Sequence, residues 1–466
     1  MKTRILLITL LSSVALLGCA SAQSHVQQEP ILPTLTIPSP EIEAAPPITQ
    51  IITTDRVLAL TFNGVGDVAE MAQLLDLLDQ LNIKATFFIQ GAKIVQEPEL
   101  IQELVMRGHS IQNNTLNYVL IEDLNYEQAY RELALSNRLF EQHFHLYPAF
   151  TRSRSNNSSE PFLLAAAQLN MNVVQATMNL PEKETDSAIE IAEYVSHNAS
   201  RGGIISLNSA LIEELTKTVK LINDEVEKLE YRLVSLEEAM VNQYTLHNKH
   251  ETNQLQMNLN FQAIEPKFIT TFETEEKYIS LTIDDWASDQ TISQVLDILD
   301  HYSIKATFFL IGSGVEKQPQ LARAIRERGH EIASHTYYHQ IVTEMEPNEL
   351  QDDLIRTDEI LTQALREKPA NYFRPPTGEI DETSAQVISA AGVDYIVLVD
   401  VASWDWNLTI SADEVFQRIV NNIEPGGIIT MHILDNSHTL EVLPRAVEYL
   451  LAEGYQFKTI GEMLAE

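Results

Sequence analysis

Cysteine is almost missing from this chain. Cys19 is the only one in 466 residues, so no intramolecular disulfide can form. Basic residues are scarce too: lysine and arginine number 31 against 66 acidic residues, giving a net charge of −35 and a pI near 4.6. That balance argues against nucleic acid or an anionic membrane surface as partner and favours a neutral or cationic ligand. Beyond the N-terminus no stretch is apolar for long enough to cross a bilayer. What remains is globular in composition, 44% hydrophobic and 21% charged, with length for two or three domains.

The N-terminus carries a targeting segment. Lys2 and Arg4 precede an apolar run from Ile5 to Leu17, too short to span a bilayer. Leu16-Leu17-Gly18-Cys19 resembles the box at which bacterial lipoproteins are lipidated and cut; ordinary cleavage after Ala20-Ser21-Ala22 is the alternative. The expectation is a signal with lipobox over 1–19, lipidation at Cys19, and a protein exported across the cytoplasmic membrane and anchored by lipid at the cell envelope. Residues 20–52, with Pro30, Pro33, Pro38, Pro40, Pro46 and Pro47, form a semi-extended tether.

An internal repeat sets the architecture. Leu60-Thr61-Phe62-Asn63-Gly64 aligns with Leu281-Thr282-Ile283-Asp284-Asp285, 221 residues on. The same offset aligns Ile83-Lys84-Ala85-Thr86-Phe87-Phe88 with Ile304-Lys305-Ala306-Thr307-Phe308-Phe309, and Arg107-Gly108-His109 with Arg328-Gly329-His330. Gly202-Gly203-Ile204-Ile205 matches Gly426-Gly427-Ile428-Ile429 after a three-residue drift. The chain therefore holds two copies of one domain, at 53–240 and 275–466, joined by a polar linker over 241–274 that could contain a short strand.

Each copy alternates strand-like and helix-like runs. In the second, strands are expected near 278–283, 305–311, 330–334, 371–374, 394–400, 427–432 and 456–459. Seven alternations predict an α/β fold with a parallel sheet, closed or nearly closed as a distorted (β/α)7-type barrel, and so two such barrels in tandem. Chemistry in such barrels sits at the C-terminal ends of the strands. Asp284-Asp285, His335, Arg374, Asp405 and His432 all fall at or just after such ends.

Two adjacent carboxylates repel unless a cation or a shared proton offsets them. His335 and His339, at i and i+4, would share a face if helical, a spacing suited to one metal ion. Asp285 with these imidazoles makes a two-nitrogen, one-oxygen set typical of catalytic zinc, and cobalt, nickel or manganese suit similar ligands. The first copy is an internal control. Asn63-Gly64, Asn114, Tyr118 and Asn208 stand opposite Asp284-Asp285, His335, His339 and His432, so every titratable member of the cluster is expected to be gone while the apolar frame persists. Chemistry explains that pattern better than structure does, and the first copy looks catalytically dead.

With these residues in hand, the second copy resembles the NodB-like polysaccharide deacetylases, carbohydrate esterase family four. The resemblance covers residues 278–464 and rests on five ordered motifs: Thr282-Ile283-Asp284-Asp285, His335 to His339, Arg374-Pro375-Pro376, Asp405-Trp406 and Thr430-Met431-His432. It implies hydrolysis of acetyl groups on N-acetylglucosamine polymers or, less often, acetylated xylan. Asp284 would be the general base and Asp285, His335 and His339 the metal ligands. Arg374 would orient Asp284, and His432, aligned by Asp405, would be the general acid. Trp406 would line the acetyl pocket, and the backbone N–H of Thr377 would face the oxyanion. This sequence departs from the family at Trp286, usually Gly, at Thr377, usually aromatic, at Ala402, often an acid, with Asp400 close by, and at Thr430, usually Leu. These changes touch the substrate pocket rather than the ligands. An O-acetyl esterase and a non-catalytic carbohydrate-binding lipoprotein are the competing readings, and the two copies could pack as an intramolecular pseudo-dimer.

Overall fold

The computed structural model describes residues 35–40, 43–183, 185–246 and 255–466. The expected signal, Cys19 and most of the tether lie outside the described residues. Among the described residues no helix is long and apolar enough to cross a membrane. Residues Ser39–Glu466 form one compact unit that contains both repeats.

The first repeat supplies strands β1 (Val57–Asn63), β2 (Thr86–Ile89), β3 (Ser110–Asn113), β4 (Phe150–Thr151), β5 (Asn172–Val173), β6 (Met178–Leu180), β7 (Gly203–Asn208) and β8 (Arg232–Val234). The second supplies β9 (Phe268–Ile269), β10 (Tyr278–Asp285), β11 (Thr307–Leu310), β12 (Glu331–Ser334), β13 (Tyr372–Phe373), β14 (Tyr395–Val397), β15 (Val401–Ala402), β16 (Ile428–Ile433) and β17 (Gln456–Phe457). Their orders are β5-β4-β3-β2-β1-β7-β6, with β8 on β1, and β15-β16-β10-β11-β12-β13-β14-β9, with β17 on β10. Central pairs such as β10 with β11 and with β16 are parallel. The expected α/β fold, duplicated as two open half-barrels, is what the chain forms.

The sequence makes the central strands unmistakable. β10 is buried along all but its first residue, as a strand covered on both faces must be. Ile279, Leu281 and Ile283 point to one side, where they pack with Val295, Leu299, Met431 and Leu443. Thr282 and Asp284 lie on the other side, inside the half-barrel.

Each repeat begins earlier in the chain than its composition suggested. Ile48, in the proline-rich stretch, bridges Val174 beside β5, and in the second repeat β9 pairs with β14 in the same relation. Leu255, in the expected linker, is buried against Phe373 and Ile396. Gly202 and Gly426, both at positive φ, show why this works: a side chain at either would strike the backbone carbonyl of Ile51 or Phe272. The expected strand over 394–400 is split. β14 covers only Tyr395–Val397, between β13 and β9, while Val401–Ala402 form β15 on β16, so the open edges of the half-barrel are β9 and β15.

Candidate active site

β10 ends on Asp284 and Asp285, and Asp285 takes a φ of +80° as the strand turns into a loop. That turn lets two neighbouring carboxylates face one cavity, which alternation along a continuing strand forbids. The Arg374 guanidinium donates to Asp284 Oδ1 at 2.7 Å and to Thr282 Oγ1 at 2.7 Å, and its carbon lies 4.2 Å from the Phe309 ring centroid. Both Arg374 and Asp284 are nearly inaccessible to solvent, so this ion pair is strong and directional.

Asp285 faces the two histidines. Its Oδ1 lies 3.7 Å from His335 Nε2 and 3.4 Å from His339 Nε2, and it is buried without a protein hydrogen-bond partner. His335 Nδ1 sits 2.8 Å from the carbonyl of Arg374, which fixes the proton on Nδ1 and leaves Nε2 as an acceptor. Burial pushes the His335 pKa down, the two carboxylates only partly opposing it, so the ring stays neutral. One ligand atom from each of the three residues falls within 4.8 Å of the others, the only such cluster among the described residues. A buried, orphaned carboxylate oxygen converging with two imidazole nitrogens fits a divalent cation.

The expectation that His335 and His339 share a helix face is overturned. They lie in a loop after β12, with Thr336 at φ +62° and His339 at φ +59°. The Asp353 carboxylate accepts from the Tyr337 N–H at 2.9 and 3.1 Å, and Gly312 N donates to the Thr336 carbonyl at 3.0 Å. Two left-handed residues curl the loop so that both rings reach the cavity, 5.1 Å apart by centroid.

Asp405 and His432 complete the site from the other side. Asp405 Oδ1 lies 2.6 Å from His432 Nδ1, and Oδ2 accepts from the His432 N–H at 2.8 Å. Thr439 Oγ1 and Ser403 Oγ also donate to this carboxylate. Burial works against a charge on His432, but Asp405, helped by Asp284 and Asp285, raises its pKa to about 9. The ring therefore carries its proton at neutral pH.

Asp284, Asp285, His335, His339, Arg374 and His432 all line one cavity of about 660 Å³. Trp406, Thr377 and Thr430 line it too. Trp286 does not: one residue past the turn it points away, and its indole packs on Gly314, where a side chain would collide with it. Asp400 accepts from the Ile428 N–H at 3.3 Å and is not among the lining residues, so it does not stand in for the acid absent at Ala402. Trp404 lines the cavity and was not anticipated. Trp404 and Trp406 both line it, one on each side of buried Asp405 in the chain.

The first repeat preserves the frame and replaces the chemistry. Thr115 and Tyr118 have φ of +60° and +57°, the left-handed pair of the second repeat's loop. Asn114 donates to Asn63 Oδ1, and Asn63 Nδ2 reaches Tyr118 Oη at 3.3 Å, an amide network that occupies the place of the ligands. One titratable residue does persist, contrary to expectation. Arg152, fully buried, donates to Thr61 Oγ1 at 2.7 Å and stacks on Phe88 at 4.2 Å, as Arg374 does on its counterparts. With no carboxylate beside it, burial pushes its pKa down to about 9.

The sequence profile of the polysaccharide deacetylases matches residues 50–174 and 272–396, together more than half of the chain. A peptidoglycan-N-acetylglucosamine deacetylase of Bacillus cereus is 31% identical over 188 residues, 40% of this chain and 67% of that protein. Another of the same name and species is 29% identical over 211 residues, 43% of this chain and 95% of that protein. The peptidoglycan-N-acetylmuramic acid deacetylase PdaA of Bacillus subtilis is 29% identical over 195 residues, 41% of this chain and 73% of that protein. The chain belongs to the polysaccharide deacetylase family and is a hydrolase of that class, built as a tandem repeat.

Proposed function

We propose that the second repeat removes acetyl groups from an N-acetylglucosamine-containing polysaccharide of the cell wall, with Asp285, His335 and His339 holding a divalent metal. The observation that carries this reading is the position of Asp284: tied to Arg374 at 2.7 Å, it borders the same cavity as the metal-type cluster without being part of it. Relatives named for peptidoglycan support a wall glycan as the polymer.

A divalent ion held by Asp285, His335 and His339, zinc by ligand type with cobalt, nickel or manganese as substitutes, would polarise the acetyl carbonyl and acidify the attacking water. Asp284 accepts a proton from the attacking water as its oxygen bonds to the carbonyl carbon. Arg374 holds the carboxylate in place. As the carbon–nitrogen bond breaks, protonated His432 gives its proton to the departing amine, leaving acetate and a free amino sugar. Thr377 stands at the cavity rim, where its backbone N–H can face the developing oxyanion. A cavity-facing histidine with a pKa near 9 suits an amine leaving group better than an easily expelled alkoxide, which favours N- over O-deacetylation.

Export and lipid anchoring through Cys19 belong to this proposal, since they would bring the site to its polymer. The first repeat would contribute support or glycan contact rather than turnover. Asp284→Asn tests the assignment. It should lower acetate release by about two to four orders of magnitude while leaving glycan binding in place, and turnover near the wild-type rate would mean the base is misassigned.

A further inference from the structure

The chain has three tryptophans, and two of them, Trp404 and Trp406, are 42% and 50% exposed beside the catalytic cavity. Along this segment the usual order is inverted. Ser403 and Asp405 are completely buried, where they serve His432, while the indoles alternate outward. An indole left half in water forgoes burial unless a ligand covers it.

Trp404 is held in place. It sits at φ +63°, and the Arg418 guanidinium stacks 3.5 Å from its ring centroid while donating to the Ala402 carbonyl at 3.2 Å. Trp404 also borders a second hollow, of about 460 Å³, formed with the helix Ala412–Asn422. Glu414, Gln417, Arg418 and Asn421 recur there at helical spacing, on the face opposite buried Val415 and Ile419. Of these groups, Glu414 caps its own helix and Arg418 holds the indole. Asn421 Nδ2 donates to Gln417 Oε1 at 3.1 Å, a bond that does not use Gln417 Nε2 or Asn421 Oδ1, and both residues line the hollow.

We propose that Trp404 is the platform of a second sugar subsite, which seats the pyranose next to the one being deacetylated and offers its hydroxyls the amides of Gln417 and Asn421. The proposal rests on the deacetylase reading and adds to it where the neighbouring sugar of the polymer is held. Pyranose rings carry an apolar C–H face and a rim of hydroxyls, matching an indole wall beside a row of amides. The hollow and the cavity share Trp404, so one continuous strand of glycan can cover both.

The test compares chito-oligosaccharides of two to six sugars on the wild-type protein and on Trp404→Ala, Trp404→Phe and Asn421→Ala. The wild type should gain in kcat/KM with length. Trp404→Ala should lose about three- to tenfold of that gain, the worth of one aromatic contact, with the loss in KM rather than kcat. Trp404→Phe should retain most of the gain, which separates a lost platform from a misfolded loop, and Asn421→Ala should fall between. An unaltered length dependence in Trp404→Ala overturns the subsite. Calorimetric binding of the hexamer to the same proteins separates this from the deacetylase reading. If the wild type releases no acetate but binds the hexamer, and Trp404→Ala binds it more weakly, catalysis has failed and the subsite stands. Equal binding by both, or none by the wild type, overturns the subsite.

Discussion

Arg201 of the first repeat and Asp289 of the second form an ion pair that is almost wholly excluded from solvent. Asp289 also accepts from the Arg201 N–H at 2.7 Å and from Ser293 Oγ at 2.9 Å, while Gln318 Nε2 reaches Ser200 Oγ at 3.1 Å. Nearby, Arg56 of the first repeat meets Asp297 of the second at 2.6 Å. Asp289 opens the helix Asp289–His301, four residues after the metal-type ligand Asp285. These contacts tie the first repeat to the helix that follows the strand bearing Asp284 and Asp285.

Removing one member of that pair strands the other as a buried charge. Arg201→Met should cost about 3–5 kcal/mol of stability, read as a lower denaturant midpoint for the second repeat. Replacing both, with Asp289→Leu added, should recover most of it. A single variant as stable as wild type would show that the interface does not depend on the pair.

Arg152 is the mirror case, a buried cation that has lost its carboxylate. Asn63→Asp should restore what Asp284 gives Arg374, raising stability by about 1–3 kcal/mol near pH 7. The new carboxylate can still accept from Asn114 and from the Tyr118 hydroxyl, and it gives up the long 3.4 Å bond that Asn63 Nδ2 donates to the Arg154 carbonyl. The gain should vanish as pH falls through the pKa of the introduced acid. Thermal melts across pH would measure it, and a lower melting temperature at pH 7 would refute it.

The Asp405–His432 pair should set the alkaline limit of activity. His432 must carry a proton to release the amine, so turnover should persist below its pKa of about 9 and fall above it. A divalent ion at the cluster would draw that limit downward, because like charge disfavours the imidazolium. Asp405→Asn removes the main support of the charge and leaves only Asp284 and Asp285 to offset burial, so the alkaline limb should move to lower pH. A pH–rate profile unchanged in that variant would place the acid elsewhere.

The sequence carried the repeat and the parallel sheets because apolar runs recur at a fixed offset, and the strand-end cluster because charged residues that end such runs are conspicuous. The conformation of the histidine loop was not legible. An i, i+4 spacing fits a helix and equally a loop with two left-handed residues, and only the contacts of Asp353 and Gly312 decide between them. Trp286 was misplaced because a family position does not say which way a side chain leaves a turn, and Gly314, which accepts its indole, lies 28 residues on. Arg152 escaped notice because Ser153 follows it, without the Pro-Pro that marks Arg374. Two-residue β9 and the Ile48 bridge are too short to leave a pattern in polar sequence.

The central claim is that the second repeat deacetylates an amino-sugar polymer with a metal at Asp285, His335 and His339. It is tested most directly by acetate release from peptidoglycan, poly-N-acetylglucosamine, chito-oligosaccharides and acetylated xylan, with added zinc and after chelation. Release from an N-acetylated polymer, lost on chelation and restored by zinc, is the predicted result. Release that survives complete metal removal, or release from xylan alone, would contradict it.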